Sequence, residues 1–172
     1  MTIQRLESVH VDELSCTTFS PPAGCITNAS VLPAAGIAAT KLQRRISAPY
    51  SQADGSDIAA AIVPVHVVRG ATATVVGVDV ACVDAPSGGD KAFSVDVQKA
   101  DEGTPTPATV LTGVIAYSAT QSDCEVESGT ISASPAALVT GDTVLVVVAV
   151  SGSTGTQGQG LIVTVTIDED AY

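Results

Sequence analysis

From residue 58 onward, the sequence is a series of short segments rich in Val, Ile and Thr, separated by turn-forming residues. Seven of these segments have the length of a β-strand, and no amphipathic helical pattern lies between them. Because β-branched residues fit a pleated sheet better than a helix, this series predicts an all-β fold. The predicted strands are 62–69, 73–83, 92–99, 108–117, 125–132, 143–150 and 161–167.

The pattern within the segments predicts how the strands are buried. Phe93, Val95 and Val97 alternate with polar residues, which is typical of a strand with one buried face. The segment 143–150 is almost wholly apolar and is predicted to be a central strand. Turn signals at short intervals favour antiparallel connections, so we expect an antiparallel β-sandwich or jelly roll. The chain has no Trp and only two Phe, so Ala, Val, Thr and Ile must fill the core.

Residues 1–57 differ from the rest in being rich in Pro, Gly, Ser, Thr and Ala with little alternation. The segment 26–39 is small and apolar, and residues 40–46 are predicted to form one or two helical turns. We therefore divide the chain into an extended N-terminal arm, 1–57, and a β-sandwich domain, 58–172. Two interpretations of the first part stay open: an arm that orders only against a partner, or an irregular region packed on its own domain.

The formal net charge of −11 is unevenly distributed. Residues 1–70 have five basic and five acidic side chains, whereas residues 71–172 have two lysines and thirteen carboxylates. Such an acidic surface repels nucleic acid and anionic membranes, so neither is an expected partner. The sequence also contains no apolar stretch of membrane-spanning length, and residues 1–20 lack the apolar core of a secretion signal.

Catalytic motifs are absent from the sequence. The serines lack a nucleophile elbow, and the two histidines, His10 and His66, are far apart, so no base is evident. The carboxylate pairs Asp79 with Asp96, and Glu125 with Glu127, come without the Trp platforms common at sugar sites. We expect solvated acidic sheet faces there, and a protein that is not an enzyme.

No cofactor or metal site is expected either. The acidic stretch 168–170 lacks the residue order of a calcium loop and is predicted to be a charged tail end. The four cysteines, Cys16, Cys25, Cys82 and Cys124, form no CxxC pair, which argues against zinc. Unpaired thiols are favoured slightly, and a local disulfide between Cys16 and Cys25 remains an alternative.

A small basic group near residue 42 is the candidate partner-binding site. It consists of Lys41, Leu42, Arg44 and Arg45 and could dock on an acidic surface. A solvated helical turn is an equally good interpretation of the same residues.

Three stretches of the sequence together resemble the capsid decoration, or cement, proteins of tailed bacteriophages. They are IAATKLQRRISAPYSQADGSDIAAAIVPVHVVRGATATVVGVDV, GGDKAFSVDVQKA and TGDTVLVVVAVSGSTGTQGQGLIVTVTI. The resemblance covers about three-quarters of the chain and brings no catalytic motif with it. It implies a β-sandwich or jelly-roll body, an extended arm and a homo-oligomer, with a trimer favoured.

The same resemblance implies a function and a location. The protein would decorate and stabilise a phage capsid by binding the lattice of the major capsid protein, on the exterior of the virion. The alternative is a carbohydrate- or receptor-binding module of a tail fibre or adhesin. In that case exposed loops such as 151–159, which is predicted to be flexible, would bind the ligand.

Overall fold

The computed structural model describes residues 43–103, 106–132 and 137–170. These residues form ten β-strands, and no helix occurs among them. The strands are β1 (Gln43–Ser51), β2 (Ala61–Val67), β3 (Thr72–Asp84), β4 (Ala92–Ala100), β5 (Ala108–Thr109), β6 (Ile115–Tyr117), β7 (Val126–Ser128), β8 (Leu138–Val139), β9 (Thr143–Ser151) and β10 (Gln159–Asp170). The prediction of an all-β fold is confirmed.

The strands form two antiparallel five-stranded sheets. Sheet A has the order β1-β10-β3, with β7 and β8 both paired to β3; sheet B has the order β2-β9-β4, with β5 and β6 both paired to β4. The chain passes between the sheets at almost every long connection, so β1, β3 and β10 alternate with β2, β4 and β9. If β5 and β6 are counted as one interrupted edge strand, and β7 and β8 as another, each sheet has four strands. The order in which the chain visits them is that of an eight-stranded jelly roll.

Five of the predicted strands match the long strands β2, β3, β4, β9 and β10 within three residues at each end. The other two are interrupted. Residues 108–117 form β5 and β6, which pair with opposite ends of β4, and residues 125–132 form only the short strand β7. In both cases part of the segment leaves its own sheet, and residues 110–112 and 130–132 bond to each other instead.

One strand was not predicted. Residues 43–51 form β1, which pairs along its whole length with β10, so the prediction of helical turns within 40–46 is wrong for residues 43–46. Residues 43–51 of the predicted arm therefore belong to the sheet, and residues 52–57 connect β1 towards β2. Residues 1–42, with the rest of the predicted arm, lie outside the described residues.

The two interrupted strands meet at one side of the sandwich. Leu111 forms a bridge with Ile131, the Thr112 amide donates to the Thr130 carbonyl, and the Ser132 amide donates to the Val110 carbonyl. The far edges of sheets A and B are therefore joined to each other on this side. On the opposite side β1 and β2 pair only with β10 and β9 within the described part of the chain.

Both sheets contribute to a single core made mainly of valine, as the composition requires. Its largest buried rings are Phe93 and Tyr117, which stack at 4.8 Å between ring centroids. The Tyr117 hydroxyl lies 2.7 Å from the carbonyl oxygens of Val80 in sheet A and of Glu125, so it ties sheet B to sheet A. Burial raises the pKa of Tyr117 to about 12.

Candidate interaction surfaces

The basic group lies at the start of β1. Lys41 and Leu42 lie outside the described residues, and the structure places Arg44 and Arg45 on the edge strand of sheet A. Arg45 makes a bidentate ion pair with Asp168 on β10: Nε donates to Oδ1 at 2.7 Å and Nη2 donates to Oδ2 at 2.9 Å. The Arg45 side chain is 69% exposed. Hydrogen bonding to Arg45 lowers the pKa of Asp168. The guanidinium is thus held in one orientation at the edge of the sheet while one side of it stays open to solvent.

Arg44 lies on the other face of β1, near a buried carboxylate. Its Nη2 is 3.6 Å from Oε2 of Glu169, a side chain with no exposed surface. The same carboxylate accepts hydrogen bonds from His66 Nε2 at 2.8 Å, the Arg69 amide at 2.7 Å and the Gly70 amide at 2.5 Å. Glu169 of sheet A is therefore bound to the end of β2 in sheet B, and it is not part of a charged tail end.

The environment of Glu169 keeps it ionised. Burial alone raises the pKa of Glu169, but hydrogen bonds from the Gly70 and Arg69 amides and from His66 together lower it by more, so the net pKa lies below the ordinary value. Gly70 suits this place because a Cβ there would collide with the backbone carbonyl of Asp170. We interpret the group as a structural clamp between the two sheets. His66, with its Nε2 directed at this carboxylate, faces the interior of the clamp and not an open cleft.

The outer face of sheet B is apolar along its edge. Register and alternation put three apolar residues of β2 and three of β9 on this face, beside the uncharged Thr143 opposite Val67, and none of them is charged. Ile62 is 71% exposed and Val67 is 50% exposed, while Leu145 and Val147 on the central strand are half-buried. We call this surface the β2–β9 face; it consists of Ile62, Pro64, Val67, Leu145, Val147 and Ala149.

A polar strip borders the β2–β9 face on strands β4 and β5. Asp96 lies opposite Val147, and both of its carboxylate oxygens are bonded, one by Gln98 Nε2 at 2.8 Å and one by Thr109 Oγ1 at 2.5 Å. This acidic group beside the apolar surface is thus held in a fixed hydrogen-bonding network. Asp96 does not approach Asp79, which lies on sheet A and accepts a hydrogen bond from Ser128.

The outer face of sheet A has a different character. Its central rows consist of Ser, Thr and charged residues, such as Ser47 opposite Thr166, and Thr164 opposite Asp79. Exposed apolar side chains are scattered among these polar groups: Ile162 and Val126 share one row near the loop end, and the others are Val76, Val83 and Val139. The two broad faces of the sandwich are therefore unlike, with one apolar along β2 and β9 and the other largely hydroxyl-bearing.

The loop 151–159, which the sequence predicts to be flexible, is fixed by hydrogen bonds. Asp90 Oδ1 accepts from the amides of Ser153 and Thr154 and from the Thr154 hydroxyl, and Ser87 bridges Thr156. The hydrogen bond from the Thr154 hydroxyl, followed by those from the two amides, lowers the pKa of Asp90 to about 2. The neighbouring carboxylate of Asp123 bonds the Ala85 amide at 2.8 Å.

A polar cleft of about 320 Å³ opens between these loops. It is lined by hydroxyl, amide and carboxylate side chains and has no aromatic residue in its wall: Asp84, Ala85, Ser87, Asp123, Thr156, Gln157 and Gln159. No histidine, cysteine or lysine lines the cleft. No cluster of three metal-binding side chains occurs in residues 43–103, 106–132 and 137–170.

The two cysteines in the described ranges are free thiols in different surroundings. Cys82 lies in the core, and burial raises its pKa to about 11. Cys124 is exposed, and its backbone has a φ of 58°, which is uncommon for a residue with a side chain. Cys16 and Cys25 lie outside the described residues, so the disulfide alternative remains an open prediction.

Sequence reasoning missed the clamp and the β2–β9 face. Glu169 looked like part of a terminal acidic run, and only its partners about one hundred residues earlier reveal its burial. The β2–β9 face left a signal in the sequence. A strand as uniformly apolar as 143–150 has apolar residues on both faces, including the face turned away from the core.

No helix in the described ranges is long and apolar enough to cross a membrane.

Comparison with known proteins gives similarity at the level of structure. No family model and no curated protein matches the sequence. A chain from the structure of the capsid of Ralstonia phage GP4 is 18% identical with a TM-score of 0.49, over 75% of this chain and 86% of that chain. A chain from Desmodium yellow mottle tymovirus is 10% identical with a TM-score of 0.36, over 92% of this chain and 96% of that chain. Neither likeness assigns this chain to a family.

Proposed function

We propose that the protein is a non-enzymatic structural component of a phage virion, which decorates and stabilises the capsid by binding the lattice of the major capsid protein. It acts on the capsid exterior as a homo-oligomer, with a trimer favoured. The sequence resemblance to decoration proteins supports the identity of the partner, the location and the trimer. The surfaces of the β-sandwich support a structural, non-enzymatic function.

The observation that supports this class best is the difference between the two faces of the jelly roll. An assembly protein needs one surface for a neighbouring protein and another that stays in water. The β2–β9 face is apolar, whereas the outer face of sheet A consists mainly of Ser, Thr and charged groups. Apolar surface buried on association supplies most of the favourable free energy of such contacts.

The second supporting observation is the lack of a catalytic arrangement within the described ranges. His66 is bound to the buried Glu169, and Asp79 and Asp96 lie on different sheets. The hydroxyl and thiol side chains that are exposed have no histidine beside them. Within the described ranges, no histidine is therefore placed to act as the base for one of these nucleophiles.

The N-terminal residues are the proposed contact with the shell. Residues 1–42 precede β1 and have a sequence poor in strand and helix signals, which suits a segment that orders on a partner. Lys41, Leu42, Arg44 and Arg45 form the part of this contact next to the body. Arg45 presents a fixed, exposed guanidinium there, which suits an acidic group on the partner.

The direct test uses particles with and without the protein. A ligand that binds only the assembled lattice stabilises that lattice by linkage, so decorated particles should withstand heat or osmotic shock better than stripped ones. Adding back the full chain should restore the resistance, and adding back a chain that lacks residues 1–42 should not. Equal resistance of stripped and decorated particles, with no protein found on the shell, would exclude the proposal.

A second candidate function is recognition of a carbohydrate or receptor by the loop end of the sandwich. The polar cleft supports it, since jelly rolls occur in lectins as well as in viral capsid proteins. Its amide and carboxylate groups, such as Gln157 and Asp84, are suited to sugar hydroxyls. Binding on a glycan array that is lost on Asp84→Ala, without loss of folding, would favour this function.

A further inference from the structure

We propose that the β2–β9 face is the docking site for residues 26–39 of a second copy of this chain, so that copies are linked by exchanged N-terminal segments. The proposal rests on the homo-oligomer part of the proposed function. It names the surface and the segment that join the copies.

The size of the β2–β9 face favours a narrow occupant. Seven residues of β2 at about 3.3 Å each give a length of about 23 Å, and two strands about 4.8 Å apart give a width of about 10 Å. The resulting area of about 230 Å² is well below the roughly 800 Å² per partner that a stable folded interface needs. A face-to-face dimer through this surface alone would therefore be weak, whereas about seven extended residues from within the fourteen-residue segment 26–39 match its length.

The charge of the face favours an uncharged occupant. None of its six side chains is ionisable, and the neighbouring Asp96 already has both oxygens bonded within its own sheet. A charged segment would lose hydration here without gaining a partner.

This chain itself contains a segment with the required chemistry. From Leu14 to Thr40 no residue is charged, which is the longest such run before β1. Within it, residues 26–39 include Val31, Leu32 and Ile37 among alanines, and Pro33 disfavours a helix. Small apolar side chains suit an apolar sheet face whose outward residues are Ile, Leu, Val, Pro and Ala.

The length of chain before β1 allows the segment to reach a neighbour. Forty-two residues span up to about 140 Å when extended, whereas a body of this size has a diameter of roughly 35 Å. A face on one copy and a segment on the next make a contact between unlike surfaces. Such contacts close into a ring when the rotation permits, as a trimer requires.

Crosslinking on the purified full-length chain, with no capsid present, tests the inference. A photoreactive residue is placed at Val147, on the β2–β9 face, and in a control chain at Thr164, on the outer face of sheet A. Each is mixed with ¹⁵N-labelled wild-type chain until subunits have exchanged. We expect crosslinks from position 147 to ¹⁵N-labelled peptides within 26–39, and none to those peptides from position 164.

Three results would overturn the inference. Crosslinks from position 147 only to residues 26–39 of the same chain would mean that the segment covers its own body. Crosslinks to the β2–β9 face of the other copy would mean a face-to-face contact. No crosslink to 26–39 at all, or a chain that stays monomeric, would mean that another surface or partner is involved.

Charge substitutions provide the independent measurement. Val147→Asp and Leu32→Asp should each weaken self-association in sedimentation by at least about tenfold, because each places a charge in an apolar contact. Val147→Asp combined with Leu32→Lys should recover part of the loss, and Thr164→Asp should leave the association unchanged. Equal effects of Val147→Asp and Thr164→Asp would contradict the assignment. Capsid binding is measured separately on particles, so failure here leaves the decoration function to its own test.

Discussion

Replacing Glu169 by Ala should destabilise the protein strongly. The carboxylate is fully buried and accepts hydrogen bonds from His66 and from the amides of Arg69 and Gly70. Alanine would leave these buried donors without an acceptor, and each such group costs about 1–3 kcal/mol. Allowing for partial access of water, we expect a loss of about 3–5 kcal/mol in the free energy of unfolding.

The measurement is denaturant unfolding followed by far-UV circular dichroism, since the chain has no Trp. Asp170→Ala is the matched control, because among the described residues the adjacent Asp170 carboxylate bonds only the exposed Thr72 hydroxyl, and we expect a loss below about 0.5 kcal/mol. A loss of less than about 1 kcal/mol for Glu169→Ala would refute the clamp, as would equal losses for the two variants.

The clamp also predicts a pH dependence. The pKa of Glu169 in the folded protein lies below its ordinary value of 4.5, so between these two values the unfolded chain binds more protons than the folded one. The stability contributed by the ionised carboxylate is therefore complete above about pH 4.5 and is lost as the pH falls through the folded-state pKa. Asp142 and Asp168 also have lowered pKa values, so every variant weakens in acid. Glu169→Gln should lose stability less steeply than wild type between about pH 5 and 3; parallel curves would contradict this assignment.

Three further predictions concern other parts of the molecule. Removing residues 1–42 should leave a soluble body with an all-β circular dichroism spectrum that no longer binds particles, and binding of unchanged affinity would contradict the role of the arm. Tyr117→Phe should lower the free energy of unfolding by about 1–2 kcal/mol because it removes the hydroxyl between the sheets, whereas Tyr50→Phe, near the surface, should cost less; equal costs would argue against the tie. In the folded protein Cys124 should react with a thiol reagent well before Cys82, whose burial raises its pKa to about 11, and peptide mapping of the labelled sites would reveal any reversal.

The long central strands could be predicted because their side chains alternate or are uniformly apolar over seven or more residues. Strand β1 could not, because its sequence QRRISAPYS has few apolar residues and its strand form depends on pairing with β10. An edge strand buries little of its own surface, so partner pairing outweighs local preference. A truncation designed from the sequence alone at residue 50 would have removed this strand.

The candidate surfaces were harder to foresee than the fold. The basic group was identified from its composition, but the ion pair of Arg45 with Asp168 joins residues more than 120 positions apart. The fixed loop at 151–159 looked flexible because it is rich in Gly and Ser, and Asp90, on another loop, supplies its order. Contacts between distant segments decide these features, and a single sequence contains no direct signal of them.

The joining of the two interrupted strands at Leu111 and Ile131 limits how this body can polymerise. A sheet with two free edges can accept a strand from another molecule at each edge, and repeated addition of molecules in this way builds fibres. Within the described part of this chain, one edge of sheet A and one edge of sheet B are joined to each other by this bridge. Only the side with β1 and β2 remains, and Pro49 and Pro64 each remove one amide donor there. Strand addition is therefore confined to one side of the sandwich, which disfavours the two-sided growth that a filament needs.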